Sequence, residues 1–136
     1  MSFADLPEAA AGHDDLVVAL PGTLETEGLV DAKLLGALNP GAVVVNVGRG
    51  SCIDEAALRA ALDSGQVRGA VLDVAASEPR APSDPMWDHE NVIQSPHTAA
   101  LSSREDHEIV ALFLANLERY QNGEQLVNVV RTDLYY

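Results

Sequence analysis

Arg49, Asp73, Glu78 and His97 are the residues of this chain whose types and positions could do chemistry. Arg49 sits in Asn46-Val47-Gly48-Arg49-Gly50, directly after the apolar run 42–45. Asp73 and Glu78-Pro79 follow the run 69–72, and Ser95-Pro96-His97-Thr98-Ala99-Ala100 follows Val92-Ile93. A guanidinium grips a carboxylate through two parallel hydrogen bonds. An imidazole exchanges a proton near neutral pH, and a carboxylate bonded to it fixes its orientation and favours its protonated form. Gly48 and Gly50, on either side of Arg49, let the backbone approach a ligand closely. Asp73 closes an apolar strand, where an unpaired charge is costly. It therefore requires a partner, either a ligand amide or the donors of a cap or turn. Singly, each residue has an ordinary explanation: a surface arginine, a loop histidine, a Glu-Pro dipeptide. In doubly wound α/β sheets, however, ligands bind outside the carboxyl ends of the strands. Chemical side chains at three successive strand ends imply an enzyme.

The elements that must position these residues alternate between strand and helix. Leu16-Val17-Val18-Ala19-Leu20 is a continuous apolar run closed by Pro21-Gly22, the pattern of a parallel strand buried on both faces. Apolar positions Leu29-Val30, Leu34-Leu35 and Leu38 predict a helix over 27–38, stopped by Asn39-Pro40-Gly41. A strand follows at 42–47. A helix at 54–64 is capped by Asp54, carries Leu58, Ala61 and Leu62 inward and ends at Gly65. Residues 69–72 and 91–94 are further strands. Residues 75–88 have no period, and Pro79, Pro82 and Pro85 make them an ordered loop. Ser102 and Glu105 have capping-box spacing for a last helix with Ile109, Val110, Phe113, Leu114 and Leu117 on one side and a break at Gly123. Short connections between alternating elements imply a right-handed parallel sheet.

Composition narrows the partners. With 136 residues the chain can form one compact domain, and its net charge of -13 excludes nucleic acid or anionic membrane, which need a basic surface. A single lysine, Lys33, against 21 acids fits adaptation to high salt or, equally, an acidic protein of a GC-rich genome. No apolar stretch nears the roughly 20 residues that span a bilayer, and the first residues, Met1-Ser2-Phe3-Ala4-Asp5, lack the features of a secretory signal. The one cysteine, Cys52, fits a reducing cytoplasm and reads as a small packed residue rather than a nucleophile. His13, His89 and His107 show no metal-ligand spacing, and no metal is expected. Trp87 reads as a loop anchor or as the wall of a site.

Asn46-Val47-Gly48-Arg49-Gly50, then Asp54-Glu55-Ala56-Ala57-Leu58, Leu72-Asp73-Val74, Glu78-Pro79 and Pro96-His97, taken in order, resemble the D-isomer-specific 2-hydroxyacid dehydrogenase family. The resemblance runs from Asp15 to about Val129 and implies an α/β fold, the C-terminal half of a Rossmann-type dinucleotide-binding domain. It implies that Arg49 binds a substrate carboxylate, that His97 gives or takes the proton and that Glu78 supports His97. It also implies that Asp73 holds a nicotinamide carboxamide, and that Leu20, Pro21, Thr26, Val47, Gly48, Arg49, His97, Ala99 and Ala100 line the cofactor, NAD or NADP. Glutamate at position 78 favours a hydroxyacid over formate, for which members of this fold generally carry glutamine. Pro85-Met86-Trp87 resembles the glyoxylate, hydroxypyruvate and phosphoglycerate branch.

The Gly-rich turn G-x-G-x-x-G, which seats a pyrophosphate on a helix N-terminus, is absent from the 136 residues. The expectation is therefore a partial NAD(P)-binding domain over 1–136, the chain beginning midway through a fold. Two functions are consistent with this: a piece of a competent dehydrogenase, or a non-catalytic half-domain that persists as a homodimer or interaction module by covering its open sheet edge.

Overall fold

A computed structural model describes residues 3–132, which form two units, Met1–Ala99 and Ala100–Tyr136. Met1 and Ser2, part of the stretch read as lacking a secretory signal, lie outside the described residues. The first unit is built on four parallel strands, β1 (Asp15–Val18), β2 (Ala42–Asn46), β3 (Val67–Leu72) and β4 (Val92–Gln94), hydrogen-bonded in the order of the chain. Its helices are α1 (Leu6–Ala10), α2 (Ala32–Ala37) and α3 (Glu55–Asp63).

The sheet advances in one direction, so right-handed crossovers place α2 and α3 on the same face. Val18, Val44, Ala70 and Leu72 are buried there with Leu34, Leu35 and Leu38 of α2 and Leu58, Ala61 and Leu62 of α3. Leu58 is fully buried, and its truncation to alanine would cost about 2–5 kcal/mol. The opposite face was expected to be buried too, and within this unit it is not. Val17, Val45, Val71 and Ile93 pair in one row across the four strands, and Val17 and Ile93 remain 65% and 67% exposed.

Local chemistry sets the element boundaries. Helix α2 starts later than its apolar pattern suggests because the Asp31 carboxylate caps it, accepting from Leu34 N at 2.8 Å. Ahead of that cap the chain turns through Gly28 at φ +60°, and Val30 forms a parallel bridge to Ile53. Asp54 caps α3 through Ala56 N and Ala57 N, worth about 1 kcal/mol. Gln66 closes α2 from outside, donating to the carbonyls of Leu35 and Leu38. Helix α1, with Pro7 in its first turn, escaped the sequence pattern because it is barely more than one turn long.

In the second unit α4 (Glu105–Gln121) ends at Asn122, and Gly123 comes next at φ +70°. The expected capping box does not form: Arg104 occupies the cap position, and Ser102 accepts from Arg104 N and Glu105 N instead. Asn116 bonds both the N–H and the carbonyl of Val127, folding the segment after the helix back onto it. Ile109, Val110, Phe113, Leu114 and Leu117, the apolar side foreseen for this helix, are exposed. No helix among the described residues is long and apolar enough to cross a membrane.

Candidate active site

Val18, Asn46, Leu72 and Gln94 are register partners across β1 to β4, so the chain leaves all four strands at one edge of the sheet. The segments beyond that edge carry Leu20 and Pro21, Val47 to Arg49, Asp73, and Ser95 to Ala99. The topology thus puts Leu20, Pro21, Val47, Gly48, Arg49, Asp73, His97 and Ala99 beyond one edge of the sheet; Ala100 opens the second unit.

Arg49 is placed by the buried Asn46, whose side chain donates to Arg49 O and accepts from Gly48 N, both at 3.0 Å. The two glycines beside it serve close packing of the backbone. A Cβ on Gly48 would lie 2.6 Å from the backbone of Leu20, and one on Gly50 would lie 1.9 Å from Ala75 O. They let three strand-end segments pack on one another. The Arg49 side chain is left exposed, with Nη1 donating to Gly48 O.

Asp73 is 4% exposed and finds its donors within the chain. Oδ1 accepts from the Ser95 hydroxyl and from Thr98 N at 2.9 Å, and Oδ2 accepts from Ala99 N at 2.8 Å. Its carbonyl accepts from His97 N at 2.9 Å. The turn donors foreseen for it are present. The Ser95 hydroxyl, then the Thr98 and Ala99 N–H groups, hold its carboxyl below the usual aspartate range against the opposing effect of burial, and the His97 charge adds to them. These bonds clamp His97 at φ +56°, a left-handed conformation that is uncommon for any residue but glycine.

Glu78 Oε2 lies 2.8 Å from His97 Nδ1, and Glu78 Oε1 accepts from Ala75 N at 2.9 Å. The Ala75 N–H, then the His97 hydrogen bond, lower the Glu78 pKa, with smaller help from the charges of His97 and Arg49. Glu78 is thus a carboxylate at neutral pH, with Arg49 close enough for its charge to be felt. With Nδ1 engaged, His97 has Nε2 to offer to a reactant. Beside the pair is a cavity of about 360 Å³, walled by Val74, Pro79, Trp87, Gln94 and Pro96. Trp87 is half exposed in that wall, and its indole N–H is anchored on Ala81 O at 2.9 Å.

The cofactor-lining residues named by resemblance divide in two. Val47, 42% exposed, and the half-buried Leu20 and Pro21 lie on the segments beyond the strand ends. Thr26 stands behind it, buried, its hydroxyl donating to Pro21 O at 2.6 Å and accepting from Thr23 N at 2.9 Å, so that it shapes the turn. Cys52 is fully buried, its thiol turned toward Pro21 O, as a packed residue should be. Sequence reasoning passed over Ser95, Glu55 and Arg80. Arg80 could have been noticed: it is one of eight basic residues, with Asp84 four positions on.

Residues 1–99 match the D-isomer specific 2-hydroxyacid dehydrogenase, NAD binding domain family, and the chain belongs to it. It is 41% identical over 116 residues to glyoxylate/hydroxypyruvate reductase A of Salmonella paratyphi B, covering 85% of this chain and 36% of that protein. Among solved structures, a D-isomer specific 2-hydroxyacid dehydrogenase from Xanthobacter autotrophicus, in complex with NADPH and MES, superposes with TM-score 0.86 at 40% identity, over 94% of this chain and 52% of that one. The NADPH-dependent glyoxylate/hydroxypyruvate reductase of Sinorhizobium meliloti, with NADP and sulfate, superposes with TM-score 0.89 at 34% identity, over 98% of this chain and 43% of that one. The four parallel strands and their helices are those of a Rossmann-like NAD-binding domain. The chain spans between about a third and a half of the length of these relatives.

Proposed function

We propose that this chain carries the proton-transfer and carboxylate-binding half of a dehydrogenase that interconverts small 2-keto and 2-hydroxy acids. The observation behind the reading is the 2.8 Å Glu78–His97 pair at the sheet edge that also bears Arg49. His97 Nε2 gives its proton to the substrate's carbonyl oxygen on reduction and takes it back on oxidation. Glu78 receives the Nδ1 hydrogen bond and fixes which ring nitrogen faces the substrate. Arg49 holds the carboxylate and polarises the adjacent carbonyl. Reduced NAD(P) would supply the hydride.

The residues present fit the nicotinamide end of such a cofactor. Val47 offers an exposed apolar surface at the strand end, next to the turns of Leu20, Pro21 and Gly48. Asp73 Oδ2, bonded among the described residues only to Ala99 N, keeps acceptor capacity for a carboxamide. His97 and Ala99 would complete that end, with Thr26 acting from behind. No Gly-rich turn in the 136 residues suits the pyrophosphate.

Substrates of the glyoxylate and hydroxypyruvate kind suit the exposed Arg49 guanidinium, Glu78 and the cavity beside the Glu78–His97 pair, and the names of the relatives support them. A reducing cytoplasm suits the buried, unpaired Cys52. A second reading, a non-catalytic module that associates with a copy of itself, is favoured by the uncovered row Val17–Val45–Val71–Ile93 and the open edge of β1. The test is a panel of 2-keto acids offered with NADH or NADPH to a full-length dehydrogenase carrying this chain, with and without Arg49→Gln. The reading expects turnover of glyoxylate or hydroxypyruvate and a KM raised at least ~10-fold by the substitution, the loss of one charged hydrogen-bonded contact. Equal KM values would remove Arg49 from the site.

A further inference from the structure

Arg80 is a buried charge that the catalytic reading leaves unused. Its side chain is 4% exposed, and its guanidinium meets Glu55 twice, Nη2 to Oε1 at 2.7 Å and Nη1 to Oε2 at 2.9 Å. Nη1 also donates to Asp84 Oδ2 at 2.8 Å. Burial opposes the charge, but the hydrogen bonds and charges of Glu55 and Asp84 outweigh it, and the Arg80 pKa is raised. Nε, also buried, has no hydrogen-bond partner among the described residues. Such a network is a poor way to gain stability, since apolar packing of the same volume often does as well. What it provides here is placement.

The three side chains grip the loop on both sides of Glu78. Arg80 lies two residues after it. Two residues before it, Ala76 N donates to Glu55 Oε1 at 3.0 Å, the same oxygen that receives Arg80 Nη2. Glu55 opens α3, directly after the Asp54 cap, so the loop is tied to a rigid element. Asp84 Oδ1 accepts from Met86 N and caps the short turn Pro85–Trp87, which brings Trp87 to the cavity wall.

We infer that Arg80 is a positioning residue: through Glu55 and Asp84 it fixes the loop so that Glu78 Oε2 stays within hydrogen-bond reach of His97 Nδ1. The importance of that reach rests on the function proposed above, whereas the tether itself can be tested without any turnover. The experiment is a carbon-detected NMR titration of the Glu78 carboxyl in the 136-residue chain. It compares the native sequence with Arg80→Met/Glu55→Gln, which removes the cation and its main anion together.

Glu78 is held low by Ala75 N–H and then by His97. If Arg80 positions it, its midpoint in the folded double variant climbs toward the ordinary glutamate value of about 4.3. A folded variant with lower melting temperature and an unchanged Glu78 midpoint overturns the proposal. Should the double variant fail to fold, Arg80→Lys decides. A single ammonium cannot reproduce the three bonds of the guanidinium fork, so the same rise is expected, and its absence overturns the proposal. Retained turnover after loss of His97 would defeat the catalytic reading and leave this titration untouched.

Discussion

Gly50→Ala should cost this chain far more than its one methyl group suggests. The added Cβ would stand 1.9 Å from Ala75 O, 2.0 Å from Ala75 C and 2.5 Å from Ala76 N. Ordinary contact begins near 3.5 Å, so the Ala75–Ala76 peptide must retreat by about 1.5 Å. It is backbone and cannot swing aside. Its two N–H groups are bonded to Glu78 and Glu55. Overpacking costs about 1–3 kcal/mol, and loosening one hydrogen bond to a carboxylate adds roughly 1.5 kcal/mol. A total of about 2.5–4.5 kcal/mol lowers the melting temperature of a chain this size by on the order of 10 °C. Gly36 supplies the control: it lies in α2 with open space around its Cβ position, and Gly36→Ala should stabilise by up to ~1 kcal/mol. Thermal unfolding followed by circular dichroism reads both. Melting of Gly50→Ala within about 2 °C of the parent would refute the claim that Gly50 is required by close backbone packing.

Asp73 makes a pH prediction. Its carboxyl is lowered, so its contribution to stability is complete above the ordinary aspartate value, about 3.9, and is lost as pH falls through the lower folded value. The Asp73 carboxyl, followed by carbon-detected NMR, should therefore titrate below the ordinary aspartate value of about 3.9; a midpoint at or above that value would show that the clamp is absent. The 136-residue chain alone should show no saturable NADH binding in the micromolar range by calorimetry, because nothing in it replaces the Gly-rich turn. Tight binding by a monomer would mean that turn is dispensable. The chain should also self-associate through the β1 edge or the uncovered face of the sheet, and Val17→Lys with Ile93→Lys should return it to a monomer in sedimentation equilibrium, unless the apolar row plays no part.

Much of this architecture was legible because the strands are short apolar runs, closed by Pro21-Gly22, Asn46, Asp73 and Gln94-Ser95. The α3 stripe Leu58, Ala61 and Leu62, its Asp54 cap and the Gly65 stop all read correctly from spacing alone. The late start of α2 did not, since Leu29 and Val30 have helical spacing but are used in a turn and a β-bridge to Ile53. The exposure of Val17 and Ile93 was equally hidden, because an apolar strand does not record what covers each of its faces. At the site, residue types announced Arg49, Glu78 and His97. The packing of Gly50 on Ala75 was not legible, because the two are 25 positions apart in the chain. Arg80 shares that difficulty: its main partner, Glu55, is equally remote in sequence, and only the folded loop brings them together.

The central claim, that this sheet edge transfers a proton to the carbonyl oxygen of a 2-keto acid, meets its most direct test in His97→Ala. The measurement is the rate of NAD(P)H oxidation by glyoxylate or hydroxypyruvate in a full-length dehydrogenase carrying this chain, with and without that substitution. Loss of the general acid should reduce kcat by about 100-fold or more while the protein remains folded. A variant that turns over at nearly the native rate would contradict the account.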